Sequence, residues 1–301
     1  MKIVLLGKDG QVGWELQRSL APLGEVHAFG HGDADLEQVD ALRALVRNAA
    51  PDILVNAAAY TAVDRAQAEP DRAKLVNATA VGALAAEMRR HNGLMVHYST
   101  DYVFDGAWQE PYDESAATGP QSVYGKTKLA GEQAIAASGC RRLVFRTSWV
   151  YAARGGNFAR TMLRLAGERD EIKVVCDQVG APTGADLIAD VTALVLHRLG
   201  SDAALAARAG GIYHLTAAGS TSWHGYARMV VASAIDAGMA LRVTPDRVLP
   251  IPSAEYPSAA PRPANSRLDT GKLCATFGLT MPPWQSGVQR LLATLTQTGV
   301  S

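Results

Sequence analysis

The sequence predicts an α/β protein built on a doubly wound parallel sheet, with a smaller C-terminal lobe after it. Three observations carry this expectation. Short apolar runs recur, alanine-rich stretches with helical spacing separate them, and glycines open the first crossover. The runs are IVLLG, EVHAFG, DILVNAAAY, LMVHYSTDYVF and RLVFRTSWVY. Short strands that alternate with helices belong to parallel sheets covered on both faces. The helices between them end at stop signals: VGWELQRSLAPLG at a proline and a glycine, LEQVDALRALVRNAAPD at its proline, and PDRAKLVNATAVGALAAEMRRHNG at basic residues before a glycine.

Residues 1–150 are expected to form this sheet domain, and residues 151–301 mainly the second lobe, with segments near 180–220 crossing back. In the second half NFARTMLRLAGERDEIKVV offers a helix and a strand, DLIADVTALVLHRLG an apolar helix suited to packing on the first domain, and GIYHLTA a further strand. VLPIPSAEYPSAAPRPANSRLDT is rich in proline, serine and alanine and reads as an ordered wrapping loop.

Composition narrows the function classes. The chain has 301 residues, and its 29 basic and 29 acidic side chains cancel without forming a block of one sign. The electrostatic footprint of a nucleic-acid or anionic-membrane binder is missing, so a small soluble partner is expected. Three cysteines, Cys140, Cys176 and Cys274, in no paired spacing argue against a disulfide framework or a zinc site and suit a reducing cytoplasm. The opening MKIVLLGKDG carries too short an apolar run for a signal peptide or a membrane span and reads as a buried first strand. The histidines show no H-E-x-x-H spacing, and the Gly-x-Ser-x-Gly elbow of hydrolases is absent.

Gly7, Gly10 and Gly13 follow the first strand and open the helix VGWELQRSL. A glycine turn there lets backbone amides approach a pyrophosphate, whose charge the helix N-terminus stabilises, as in Rossmann-like dinucleotide sites. The spacing is wider than G-x-G-x-x-G, and three glycines serving only a tight turn is the alternative. After the second strand, HAFGHGDADLE puts Gly30 and His31 where an acidic residue would select NAD, with Asp33 and Asp35 further on. NADPH is therefore the expected cofactor and NADH the alternative. Asp35 and Leu36 are placed beside the adenine, although Asp35 also suits a helix cap.

In SVYGKTKLAGE, Tyr124 and Lys128 stand four residues apart and share one face of a helix, about 6 Å from each other. A phenol acts near neutrality only if its pKa falls by about three units, about 4 kcal/mol, and a neighbouring ammonium shifts it in that sense. The spacing alone also fits a solvated surface pair. Ser99 and Thr100 stand at the carboxyl end of the strand ending in STDYVF, where such folds bind ligands, and Thr100 is placed to donate to the same substrate oxygen. A strand-end threonine bonded only to backbone is the other reading. Trp149 is placed either to stack on a sugar ring or to fill the core.

The series G-x-x-G-x-x-G, NAAAYTAVD, YSTDYVFDG, YGKTKLAGE and FRTSWVYA resembles the extended short-chain dehydrogenase/reductases. The likeness continues through GNFARTMLRLA, DQVGAPTGADL, GIYHLTAAGSTSWHGYA and RPANSRLDTGKL, so it spans nearly the whole chain. It implies NADPH-dependent reduction of the C4 ketone of a dTDP-6-deoxy-4-ketohexose to dTDP-L-rhamnose, with a nucleotide sugar as partner. By position it makes Tyr124 the proton donor, Lys128 its partner and ribose ligand, and Thr100 a tuning hydrogen-bond donor. It sets Gly7, Gly10, Gln11 and Val12 at the pyrophosphate, Asp35 and Leu36 at the adenosine, and Ala59, Tyr60 and Thr61 at the nicotinamide. Thr100, Asp101 and Trp149 then contact the sugar, with Asn265, Ser266 and Arg267 helping from the second lobe. A homodimer is implied as well, and Mg²⁺ with Glu15 and Asp186 as its candidates. A nucleotide-sugar dehydratase is disfavoured because Tyr102, not an acid, follows Asp101. A reductase of another 4-ketosugar and a non-enzymatic cofactor-binding regulatory subunit remain as alternatives.

Overall fold

The computed structural model describes residues 1–297; residues 298–301 of the expected second lobe lie outside the described residues. Strands β1 (Lys2–Leu6), β2 (Glu25–Phe29), β3 (Ile53–Asn56), β4 (Leu94–Thr100) and β5 (Arg141–Thr147) form one sheet in the order β2-β1-β3-β4-β5. Gly211–His214 adds a sixth strand beside β5, and every pair in the sheet is parallel. The chain leaves β1 for β2 on one side, then returns to build β3 on the other. Connections leaving β1 and β3 therefore diverge and open a crevice at the carboxyl ends of these strands.

The strands are apolar on both faces because helices cover both. Ile3, Leu5, Val55, Val96 and Phe145 pack with Leu16 and Leu20 of helix α1 (Gln11–Leu20) and with Ile188 and Val195 from the second half of the chain. Val4, Leu6, Leu54, Met95 and Val144 pack on the opposite face. Their partners come from α2 (Val39–Ala49), which supplies Leu42 and Val46, and from the last two of four helices that follow β3 and β4. The four are α3 (Val63–Ala68), α4 (Pro70–Lys74), α5 (Ala80–Arg90) and α6 (Val123–Ser138), of which α5 gives Leu84 and Met88 and α6 gives Ile135. Alternate residues of each strand thus feed two separate cores, as the two-residue period of a strand requires.

The second half contributes α7 (Phe158–Glu168) and α8 (Ala185–Ser201). Helix α8 lies against α1 on the sheet, and Leu273 and Phe277 of Gly271–Phe277 reach the same core. A separate cluster joins Met162 and Leu163 of α7 to Tyr226, Val230, Trp284 and Val288 and forms the core of the smaller lobe. The stretch read as a wrapping loop begins instead with a strand, Val248–Ile251, paired in parallel with Ile172–Val175. Its Pro250 lacks an N–H, which is tolerated because this sheet has only two strands and asks for bonds on one side. Beyond a short turn at Ser253–Glu255 the rest is irregular. Among the described residues no helix is long and apolar enough to cross a membrane.

Three local features fix α6 against the sheet. Ser122 caps its first turn by accepting from the Gly125 amide at 3.1 Å, and Gly139 ends it with φ +68°. The helical stretch before it is interrupted by a π turn at Leu75–Thr79, and Gly131 allows α6 to approach that turn, since a Cβ there would meet the Asn77 carbonyl. Finally, Arg146 of β5 grips Glu132 of α6 through two bonds of 2.6 and 3.0 Å, both side chains being 3% exposed. A buried pair broken on one side leaves an uncompensated charge. Glu132→Ala is expected to lower unfolding free energy by about 3–5 kcal/mol, and pairing it with Arg146→Met should recover most of the loss, both read by urea denaturation.

Candidate active site

A cleft of 850 Å³ lies at the carboxyl ends of the strands. Its floor is the turn after β1. Gly7 adopts φ +85°, and a Cβ on it would stand 2.7 Å from the Ala58 amide nitrogen, so the β1 turn and the loop after β3 touch backbone to backbone. Gly10 precedes α1 with no side-chain cap, which leaves the first amides of that helix directed at the cleft without a protein acceptor from the cap residue. Gln11 and Val12 line the cleft beside it. The Ala59–Thr61 loop is held from the π turn: Asn77 accepts from the Tyr60 amide at 2.9 Å and returns a bond to its carbonyl at 3.1 Å.

At the end of β2, Gly30 presents no side chain, and one placed there would run into the Asp9 carboxylate. Lys8 stands beside it, paired with Asp33 at 2.8 Å, and Asp33 also accepts from the Gly30 amide at 3.1 Å. Asp35 accepts from the Glu37 amide at 2.9 Å, so it caps the next turn while lining the cleft with Leu36.

Helix α6 delivers Tyr124 in its first turn and Lys128 one turn later, and both line the cleft. The Lys128 amine is 2% exposed and turns toward β4, 2.6 Å from the Tyr98 carbonyl and 3.2 Å from His97 Nε2. Burial lowers its pKa to about 8, against a smaller opposing pull from Glu132. Tyr124 departs from the sequence expectation. Burial pushes its phenol above the ordinary value, the Thr100 hydroxyl offsets part of this, and Asp101 and Tyr102 add to the rise. The half-buried phenol sits among uncharged and acidic groups while the lysine charge is directed into the sheet, so desolvation outweighs the ammonium.

Thr100 stands beside the phenol, whose pKa its hydroxyl draws down. Its hydroxyl donates to Asp101 Oδ1 at 2.9 Å and accepts from the Tyr102 amide at 3.2 Å, because the neighbouring carboxylate is the stronger acceptor. Asp101 is itself buried, which raises its pKa to about 6, while the Ser266 and Thr100 hydroxyls draw it back down. Tyr102 meets Tyr124 edge-on, with ring centroids 5.5 Å apart.

Trp149 follows β5 with φ +48°, a strained conformation for a bulky residue, and its ring stacks on Trp223 at 3.6 Å and 12°. Both indoles line the cleft. The structure does not bring Asn265, Ser266 and Arg267 into that lining. Asn265 donates to the carbonyls of Trp108 and Glu110, and Arg267 to that of Gln109, so the two hold the loop after β4, while Ser266 reaches Asp101 from behind. Glu15 faces Arg18 at 3.4 Å, and Asp186 accepts from the Leu187 amide and lies 3.7 Å from Arg290. Among the described residues no group of three or more His, Cys, Asp or Glu side chains is arranged to hold a metal ion. His224 bonds the Val248 carbonyl at 2.9 Å, away from the cleft.

The sequence reading missed Trp223, Tyr102, Asn56 and Thr147, all of which line the cleft. Only Trp223 carried a signal, as an aromatic in the segment STSWHGYA. Gln11 Oε1, Ser99 Oγ, Asp101 Oδ2 and Thr147 Oγ1 are buried without a protein hydrogen-bond partner. Together with the uncapped amides of α1, these orphaned oxygens fit a polyhydroxylated, phosphorylated ligand such as a dinucleotide or a nucleotide sugar. A second cavity, 610 Å³ at the amino ends of β4 and β5, has Arg141 and Arg142 as its charged lining and no acid, base or nucleophile.

Comparison with known proteins agrees with this geometry. A sequence model of the RmlD substrate binding domain family matches residues 1–297. The chain is 52% identical to a protein of Burkholderia thailandensis over 96% of its own length and 97% of the other, and 49% identical to one of Escherichia coli over 99% of both. Both relatives are named dTDP-4-dehydrorhamnose reductase. A crystal structure of dTDP-4-dehydrorhamnose reductase from Bacillus anthracis in complex with NADP superimposes with a TM-score of 0.85 at 33% identity, covering 98% of this chain and 100% of that one. With that extent of likeness over a shared cleft, the chain belongs to the RmlD substrate binding domain family, whose members here are the dTDP-4-dehydrorhamnose reductases.

Proposed function

We propose that this protein reduces the C4 ketone of dTDP-4-dehydro-L-rhamnose to dTDP-L-rhamnose, with NADPH as its preferred cofactor. The observation that carries the reading is the meeting of Tyr124, Lys128 and the Thr100–Asp101 pair in one cleft with the β1 glycine turn. When bound, the reduced nicotinamide supplies the hydride. Tyr124 gives its phenolic proton to the oxygen of the ketone as that oxygen becomes an alkoxide. The raised pKa serves this direction, since it keeps the phenol protonated until an acceptor of higher basicity forms beside it. The Lys128 ammonium stabilises the phenolate left behind. The Trp149–Trp223 stack offers an apolar face for the sugar ring, and Asp101 with Ser266 behind it orients the sugar hydroxyls.

The turn after β1 supports cofactor choice. Gly30 puts no acid of its own at the end of β2, and Lys8 supplies a cation there for a 2′-phosphate, although Asp33 and Asp9 stand close enough to oppose it. NADPH is therefore preferred and NADH accepted. The homodimer implied by the resemblance belongs to the same reading, as does the reducing cytoplasm expected from the three unpaired cysteines. No step is assigned to Mg²⁺, because the arginines already compensate Glu15 and Asp186.

Three measurements test the reading. Tyr124→Phe should lower turnover by a factor of about 10² to 10⁴ while NADPH binding, followed by fluorescence titration, stays near wild type; a normal rate in that variant removes Tyr124 from the role. Turnover should fall as pH rises through about 8, since Lys128 is charged below its lowered pKa and neutral above it; a rate flat to pH 10 contradicts the assignment. Lys8→Ala should reduce the NADPH-over-NADH ratio of kcat/KM by about tenfold, as expected for one lost charge contact, and an unchanged ratio would move cofactor choice elsewhere.

A further inference from the structure

Beneath the Lys128 amine lies a polar row that the reading above does not use. Asn56 of β3 and His97 of β4 are register partners on the α6 face of the sheet, each 1% exposed, and their neighbours in the row are Leu6 and Val144. The Ala58 amide donates to Asn56 Oδ1 at 3.1 Å. A backbone N–H only donates, so this contact fixes which end of the Asn56 amide is oxygen. Its other end, Nδ2, is then a donor, and it lies 3.2 Å from His97 Nδ1. Nδ1 must accept. Burial, with the Lys128 charge adding to it, holds the imidazole neutral, and a neutral ring whose Nδ1 accepts carries its proton on Nε2. That N–H points at Lys128 Nζ, 3.2 Å away.

We infer that His97, with its ring proton held on Nε2 by Asn56, is a positioning residue that presents a hydrogen-bond donor to the Lys128 amine and thereby decides when that amine carries a charge. An ammonium is also a donor only, so the contact suits the neutral amine, whose lone pair accepts from Nε2–H, and disfavours the charged one. The Tyr98 carbonyl accepts from Lys128 in either state and does not discriminate. A histidine serving only to satisfy the lysine would show the opposite tautomer, with Nε2 accepting from the ammonium. The other groups that face the amine are Tyr124 and Glu132 on α6 and Arg146 on β5. Glu132 favours the ammonium, and Arg146 stands 2.6 Å from Glu132 as its opposite charge. Burial already weakens the hold of Lys128 on its proton, and the His97 donor adds to it, which keeps that proton available at neutral pH.

The inference rests on Lys128 acting with Tyr124, and two readouts keep it separate from the proposed reaction. The first is nitrogen NMR of the full chain labelled with ¹⁵N-histidine, with the His97 signals assigned by their loss in His97→Gln. The expected result is a neutral ring protonated at Nε2 with Nδ1 bare, and a proton on Nδ1 overturns the proposal whatever the protein reduces. The second is the alkaline limb of the kcat profile. In His97→Gln and in Asn56→Ala, which frees the ring to turn its lone pair to Lys128, the limb should move up by about one pH unit. A limb that stays in place in both variants, with their folding verified by thermal melting, also overturns it. Should the protein be inactive on the dTDP-linked ketosugar while His97 is protonated on Nε2, the proposed substrate fails and the tautomer assignment stands.

Discussion

The burial of one charged amine is the constraint on which the rest of the site depends. Lys128 reaches the carboxyl ends of β3 and β4 from a helix on the covered face of the sheet, and its pKa falls from 10.5 to about 8 there. That displacement corresponds to about 3 kcal/mol. The sign is unfavourable to folding: the unfolded chain binds the proton more tightly, so the cost is full below about pH 8 and fades as pH approaches the unfolded value. The fold offsets it by holding α6 rigidly. The Ser122 cap, the Gly131 contact with the π turn and the buried Glu132–Arg146 pair each tie a different part of the helix down. Without them the amine would swing toward water and leave Tyr124 without a nearby cation.

The cleft above this amine is assembled from parts distant in the chain, and strain marks where they meet. The π turn at Leu75–Thr79 presents the Asn77 side chain, which bonds both the amide and the carbonyl of Tyr60. Trp149 accepts a left-handed conformation as the chain leaves β5, and the stacked Trp223 from the second lobe holds its ring in place. Such features persist only where surrounding packing over-determines them. Here the packing is the meeting of the sheet domain with the smaller lobe. Asn265 and Arg267 act at the same junction, by fixing the loop after β4 that carries Asp101 and Tyr102 to the cleft.

Much of this was legible in the chain itself. The five apolar runs became the five strands β1 to β5, since a strand covered on both faces must be apolar throughout and periodicity reports that directly. Glycines after β1 and the Tyr124–Lys128 spacing are local signals, complete within a single turn or helix. The resemblance of the whole chain to extended short-chain dehydrogenase/reductases pointed to residues 59–61 and Trp149, and these line the cleft. Less legible were groups whose role comes from a partner far away. Asn56 and His97 look like polar interruptions of apolar strands until register sets them side by side. Asn265 and Arg267 share a segment with Ser266, yet bond to carbonyls more than 150 residues away.

By itself, then, the sequence determined the class of fold, the order of its strands and helices, and the residue types available for proton transfer, because these follow from short-range periodicity, capping and spacing. Tertiary structure alone decided the electrostatic state of those residues. A pKa depends on how much water a group loses and on which dipoles face it, and both are set by elements that the chain brings together only on folding. For this reason the spacing of Tyr124 and Lys128 suggested a phenol lowered by its lysine, whereas the folded protein raises the phenol, lowers the lysine and turns the amine toward His97.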